Sequence, residues 1–331
     1  MRHSRLLAAS ALLASVALAG TACAASPAES DETATDEPTT RTVTTDYGDV
    51  EIPTDPKKIV VLNYALAGYL YDLDQPVTAT IPESADATEG EFSELWGDAP
   101  EEDGTVFLPW SVDGFDLEAI LAEDPDLIIG GGIGFPLFQA EQVYDELSDI
   151  APTVLVGKEL DTWQEQFSFL AEDVFDQADD YDAAVAAYDE RVAEVREAIT
   201  LPEGPVAYVA FTGDGTAYTL VEAVGLPKDL IEVGLEPAPV FADGDFEVYG
   251  GGGDMFELST EQAGQTLTQP TLFVMGFNGD TMDAATLAEN PVYAALPAFQ
   301  NDSVYDLPYW SLRGDYDEAL ATLDHIEELF G

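Results

Sequence analysis

Basic side chains, histidine and cysteine are nearly missing from this 331-residue chain. It holds 10 Lys plus Arg against 66 Asp plus Glu, with 2 His and 1 Cys. The resulting formal charge of −56 repels nucleic acid and anionic membrane surfaces, so no nucleic-acid partner is expected. The single cysteine, Cys23, excludes an internal disulfide. His3 lies at the extreme N-terminus and His325 stands alone among Asp324, Glu327 and Glu328. No imidazole or thiolate cluster is left for a zinc-type site, and no histidine to activate a serine. The spacings G-x-S-x-G and D-x-D-x-D-G are absent too. A carboxylate-only cation site or a pair of catalytic carboxylates stays open, because any two of so many acids can meet. No particular pair stands out, so neither a catalytic residue nor a metal ligand is assigned.

What is present begins with a processing signal. In "MRHSRLLAASALLASVALAGTAC", Arg2 and Arg5 precede a short apolar run, Leu6 to Ala19, too briefly flanked to be kept as a membrane span. Residues 1–22 read as a lipoprotein signal peptide, with Cys23 as the lipidated residue; an ordinary secretory peptide with an incidental cysteine is the other reading. Residues 23–42 are polar, carry two prolines and read as a flexible tether. The chain is therefore placed at the extracytoplasmic face of a membrane, held by an N-terminal lipid.

Beyond the tether, short apolar runs alternate with helical patterns. "KKIVVL" suits a strand covered on both faces, "ALAGYLYDL" a helix and "PVTAT" a strand. In "DLEAILAEDPDLIIGGG" (116–132), Leu117, Ile120 and Leu121 make one helix face, Pro125 stops the helix, and Leu127 to Ile129 begin a buried strand. Such alternation argues for an α/β fold with mainly parallel sheets. Residues 177–199 form a longer helix, with an apolar stripe through Tyr181, Val185, Tyr188, Val192, Val195 and Ile199. At about 1.5 Å per residue it approaches roughly 35 Å, enough to bridge two lobes. The plan then restarts, with "PVAYVAF" a strand, "TLVEAVGL" a helix, and "FELSTEQAGQTLTQPTLFVMGF" a helix, proline and strand. The expected division is an N-terminal lobe at 43–175, a bridging helix at 176–200 and a C-terminal lobe at 201–331.

Five motifs in order, "IPTDPKKIVVLNY" (52–64), "DLEAILAEDPDLIIGG" (116–131), "LSDIAPTV" (147–154), "ELSTEQ" (257–262) and "NPVYAALPAFQNDSVYDLPYW" (290–310), resemble the substrate-binding lipoproteins of bacterial ABC importers for ferric siderophores. The resemblance covers roughly 43–330. It implies a fold of the class III periplasmic-binding-protein type, a ferric siderophore as ligand and the importer's permease subunits as partners. It implies no enzyme activity and no cofactor, the iron arriving inside its chelate, and a monomer. Glu118 and Glu261 match the family's permease-docking glutamates. The same residues at helix N-termini also serve the macrodipole. "TQPTLFV" lacks the acidic residue that follows proline in the first half, and the insertion at 82–104 is acidic.

Ligand clefts of open sheets gather at the carboxyl ends of strands. Tyr64, Trp110, Phe135, Phe211, Tyr309 and Trp310 fall there, each also suited to ordinary core packing, with Tyr218 and Tyr249 as weaker candidates. Arg313, the only arginine after Arg196, follows "LPYW" and can donate to the oxygens around iron; a surface pair with Asp315 or Asp317 is its plainer reading. Lys158 is a possible second cation. So little positive charge suits a neutral or cationic hydroxamate chelate better than a tricatecholate. Haem, a corrinoid or another iron chelate is the alternative ligand, and a secreted carboxylate-dependent hydrolase the alternative from another class. "GGGIG" (130–134) and "DGDFEVYGGGGD" (243–254) read as flexible loops.

Overall fold

Runs of Val, Ile and Leu set the two sheets. The computed structural model describes residues 39–331 apart from 86, 88, 250–252 and 278–281. The signal segment, Cys23 and nearly all of the tether lie outside the described residues. Strand β1 (Thr40–Thr45) pairs with β2 (Gly48–Pro53) as an antiparallel hairpin, so regular structure begins at Thr40, inside the segment read as tether.

In the N-terminal lobe, β3 (Ile59–Val61), β4 (Val77–Thr80) and β5 (Val106–Phe107) join β8 (Leu127–Gly131) and β9 (Thr153–Val156). The order is β5-β4-β3-β8-β9, parallel throughout. A two-residue hairpin, β6 (Trp110–Ser111) with β7 (Gly114–Phe115), follows β5. The C-terminal sheet has the order β12-β11-β10-β13-β14, built from β10 (Val206–Phe211), β11 (Ala217–Leu220), β12 (Met255–Leu258), β13 (Thr271–Gly276) and β14 (Val304–Asp306). β10, β13 and β14 run parallel, while β11 and β12 are antiparallel additions. The expected helix "TLVEAVGL" is thus a correction. Its start completes β11, with Thr219 buried opposite Val209, and sheet pairing on both sides overrides a weak helical propensity.

The two halves do repeat a unit. The helix Leu117–Ala122 leads through Pro125 into β8, and the helix Thr260–Thr266 leads through Pro270 into β13. β8 and β13 each lie parallel beside the first sheet strand of their lobe, β3 and β10.

The long helix spans Ala178–Ala198 and buries Tyr188, Val192 and Val195 of the announced stripe together with Ala184, while Tyr181, Val185 and Ile199 are half-buried. It packs on the C-terminal helix, Tyr316–Phe330. Arg191 fastens the two through Asp324, at 2.7 Å, and Glu327. One buried cluster then runs through both lobes. It takes in Trp163 and Phe167 from the first lobe, Tyr188 from the long helix, Tyr208 and Phe273 from the second sheet, and Leu323, Ile326 and Phe330 from the last helix. Each such large apolar side chain contributes roughly 1.5–3 kcal/mol on burial, so the lobes share a stabilising core as well as a connection.

Candidate functional site

The cleft is assembled from strand ends. β3 leads to Asn63, the N-cap of the helix Tyr64–Asp72: its Oδ1 accepts from the Ala65 amide, and its Nδ2 donates to the Gly131 carbonyl at 2.7 Å. One side chain thus ties the ends of β3 and β8 together. β4 leads to Pro82, Glu83 and Ser84, and β5 to Trp110. β14 leads to the 3-10 turn Tyr309–Arg313, which lies against the first lobe. The Ser84 hydroxyl donates to the Tyr309 oxygen at 3.4 Å.

Arg313 lines three adjoining recesses. Its side chain is 24% exposed, and its Nε donates to Oδ2 of Asp254 at 2.7 Å. Burial works against the guanidinium charge, but the Asp254 carboxylate, followed by Tyr309 and Glu83, holds its pKa above the ordinary value. The surface pair with Asp315 or Asp317, the plainer alternative for Arg313, is not made. Asp315 instead caps the last helix and accepts from the Trp96 indole, while Arg313 bonds to Asp254, just before β12 in its own lobe. Gly134 makes room for this. With φ at +98°, it presents backbone so close that a Cβ would stand 2.5 Å from Arg313 Nε.

Aromatic rings wall the cleft from both lobes. Trp110 and Phe135 come from the first, Tyr249 and Phe277 from the second, around Glu83, Asp254 and Arg313. Trp110 is held in place: its indole donates to Gln139 Oε1 at 2.6 Å, and Gln139 Nε2 donates to the Ser111 and Val112 carbonyls. Phe277 stacks on Tyr218 at 4.7 Å, and Tyr249 meets the same ring edge-on at 5.0 Å. Tyr64 and Tyr309 line the neighbouring recess with Trp110 and Arg313.

The structure therefore brings together Tyr64, Trp110, Phe135, Tyr309 and Arg313. It does not bring Phe211 or Trp310 to any of the three recesses. Phe211 shares the face of β10 with Ala207 and Val209, which packs in the outer core; its ring meets Tyr293 edge-on at 5.3 Å. Strand alternation explains this, since Tyr208 and Ala210 take the opposite face. Trp310 is half-buried within the 3-10 turn, and Lys158 is exposed next to Glu159. Sequence reasoning missed Glu83, Asp254, Gly134, Phe277 and Glu318. The run of four glycines in the sequence just before Asp254 was the one available cue.

Burial, partly offset by Arg313 and reinforced by Asp315, pushes Glu83 up to about 7. Among the described residues no group of three or more His, Cys, Asp or Glu is arranged to hold a metal ion. Glu118 and Glu261 are both exposed and both occupy the second position of a short helix, after the N-caps Asp116 and Ser259.

The periplasmic binding protein family matches residues 59–309 of the chain. The chain belongs to this family. As a periplasmic binding protein it holds solute without transforming it. It is 29% identical to the ferric enterobactin-binding periplasmic protein of Escherichia coli O6:H1 (strain CFT073), over 88% of this chain and 91% of that one. It is 25% identical to the probable siderophore-binding lipoprotein YfiY of Bacillus subtilis (strain 168), over 88% of each chain. Among solved structures, holo-ViuP is 25% identical with a TM-score of 0.72, covering 88% of this chain and 95% of that chain. SirA of Staphylococcus aureus, complexed with staphyloferrin B, shares the fold at a TM-score of 0.67 and 19% identity, over 87% and 97%.

Proposed function

We propose that this periplasmic binding protein captures a ferric siderophore between its lobes and delivers it to an ABC importer. The observation that carries the reading is the Arg313–Asp254 pair at the meeting of three recesses, walled by rings from both lobes. A guanidinium donates to the oxygens around iron, and the rings cover the chelate's apolar backbone. Relatives named for ferric enterobactin and for siderophores support the ligand class.

Within that class a hydroxamate chelate fits the charge best. One guanidinium faces Glu83, Asp254 and Glu318, which offers little to a triply anionic tricatecholate. The relationship to the enterobactin-binding protein favours the tricatecholate as a second reading. Titration against tryptophan fluorescence separates them, since Trp110 lies in the cleft. Ferrioxamine is expected to quench and ferric enterobactin, haem and cobalamin to do so weakly. Quenching by ferric enterobactin alone would transfer the preference to catecholates, and silence from every chelate would remove the reading.

Anchoring through lipidated Cys23 places the monomer at the outer face of the cell membrane, with Glu118 and Glu261 as its contacts to the permease. The Glu118→Ala, Glu261→Ala double variant is expected to bind chelate normally yet transport it at no more than about a tenth of the usual rate, as charge pairs at a docking interface are worth more than a kcal/mol. Uptake of radiolabelled iron in cells measures this, and normal uptake rejects the docking role.

A further inference from the structure

Arg313 is not the only charged group turned toward the cleft. The recess it shares with Asn63, Tyr64, Glu83 and Tyr309 is also lined by Glu318. Glu318 is 2% exposed. Its Oε2 accepts from the Asp315 amide at 3.3 Å, closing a capping box, while the Glu318 amide donates to Asp315 Oδ1 at 2.9 Å. Its other oxygen, Oε1, is buried with no hydrogen-bond partner among the described residues. The Ser93 hydroxyl lies near enough to stabilise the carboxylate somewhat, without reaching Oε1 in bonding geometry.

The cap does not explain a carboxylate here. A second capping box, on the helix Thr260–Thr266, places Gln262 at the same position and makes the same two bonds with no charge. A buried carboxyl oxygen left without a donor is costly, so something must repay it or the site must serve a ligand. Glu83 adds a second carboxyl in the same recess, and Arg313, the one cation there, is already matched by Asp254.

We propose that Glu318 and Glu83 form a cation subsite on the floor of the cleft, which receives a protonated amine arm of the bound chelate while Arg313 faces the iron-bound oxygens. This rests on the ferric-siderophore reading and deepens it. A primary ammonium carries three donors on a compact charge, enough for Oε1 of Glu318 and for Glu83 together. The groups facing the pair are Tyr64 from the first lobe's helix, Tyr309 and Arg313 from the 3-10 turn, and Asp315 from the last helix. Only Arg313 among them is positive. Burial and these acids raise both carboxyls, so an arriving ammonium displaces protons from them.

The test compares ferrioxamine B, which ends in an ammonium, with its N-acetylated form, whose iron centre is the same. The amine form is expected to bind about tenfold tighter or more and to release protons, seen as a buffer-dependent heat in calorimetry. In Glu318→Gln, which keeps the capping box, and in Glu83→Gln, the ratio of the two affinities falls toward one. Equal affinities in the unsubstituted protein, or a ratio untouched by both substitutions, overturn the subsite and leave the siderophore reading standing. If neither form binds, the hydroxamate reading falls and the subsite with it.

Discussion

Arg313→Ala is expected to weaken binding of the ferric chelate by about 1–3 kcal/mol, a loss of roughly five- to 150-fold. The guanidinium is the single cation that lines all three recesses, so no neighbour replaces its donors. The substitution also strands Asp254, whose side chain is only 8% exposed, as an unpaired carboxylate. Part of any loss therefore comes from a strained fold. The Arg313→Ala, Asp254→Ala double variant removes both members of the pair and separates the effects: its melting temperature recovers, while its affinity stays low. Arg313→Lys restores charge but not the Nε bond to Asp254, and recovers affinity only in part. Affinity unchanged in all three, measured by fluorescence titration, would leave Arg313 with no role beyond its structural pair with Asp254.

Stability is expected to fall as pH rises through neutrality, the reverse of ordinary acid denaturation. Burial, with help from Asp317 and Asp315, lifts Asp72 to about 8. Burial raises Asp315 to about 7 despite the Glu318 amide and the Trp96 indole, and Glu83 to about 7. Glu318 and Asp229 are raised as well, again first by burial. A carboxyl whose folded pKa lies above its unfolded value binds more protons when folded. Its contribution is full below about pH 4 and is lost as pH climbs toward the folded pKa. Asp214 and Asp283 run the other way: hydrogen bonds from Thr212, Thr216 and Thr286 lower them, so they lose stabilisation only at strongly acid pH. The melting temperature is therefore expected to drop by about 5–10 °C between pH 5.5 and pH 8.5. Repulsion among surface acids gives the same sign but is screened by salt, whereas buried groups are not. The drop should persist in high salt and shrink in Asp315→Asn, which still caps its helix. A melting temperature that is level or rising over this range would defeat the argument.

The architecture was legible because its causes are local and periodic. The stripe through Tyr188, Val192 and Val195 declared the long helix, and Pro125 and Pro270 marked the strands that follow their helices. The cleft was legible in part. Strand-end position located Tyr64, Trp110, Phe135 and Tyr309, yet it cannot say which face of a strand a residue takes, and Phe211 falls on the far one. Charge was the least readable feature. In a chain with 66 acids, nothing in the sequence separates Glu83 and Glu318 from the solvated remainder, and only the preceding glycine run marks Asp254. Their standing comes from burial beside Arg313, which only three-dimensional contact creates.

Because one apolar cluster threads both lobes and the strut between them, any large swing of one lobe against the other would have to open that shared core. On the delivery proposed above, filled and vacant copies would offer an importer almost the same outline, and cargo would be recognised at the rim, where Tyr249 lines the cleft and is exposed.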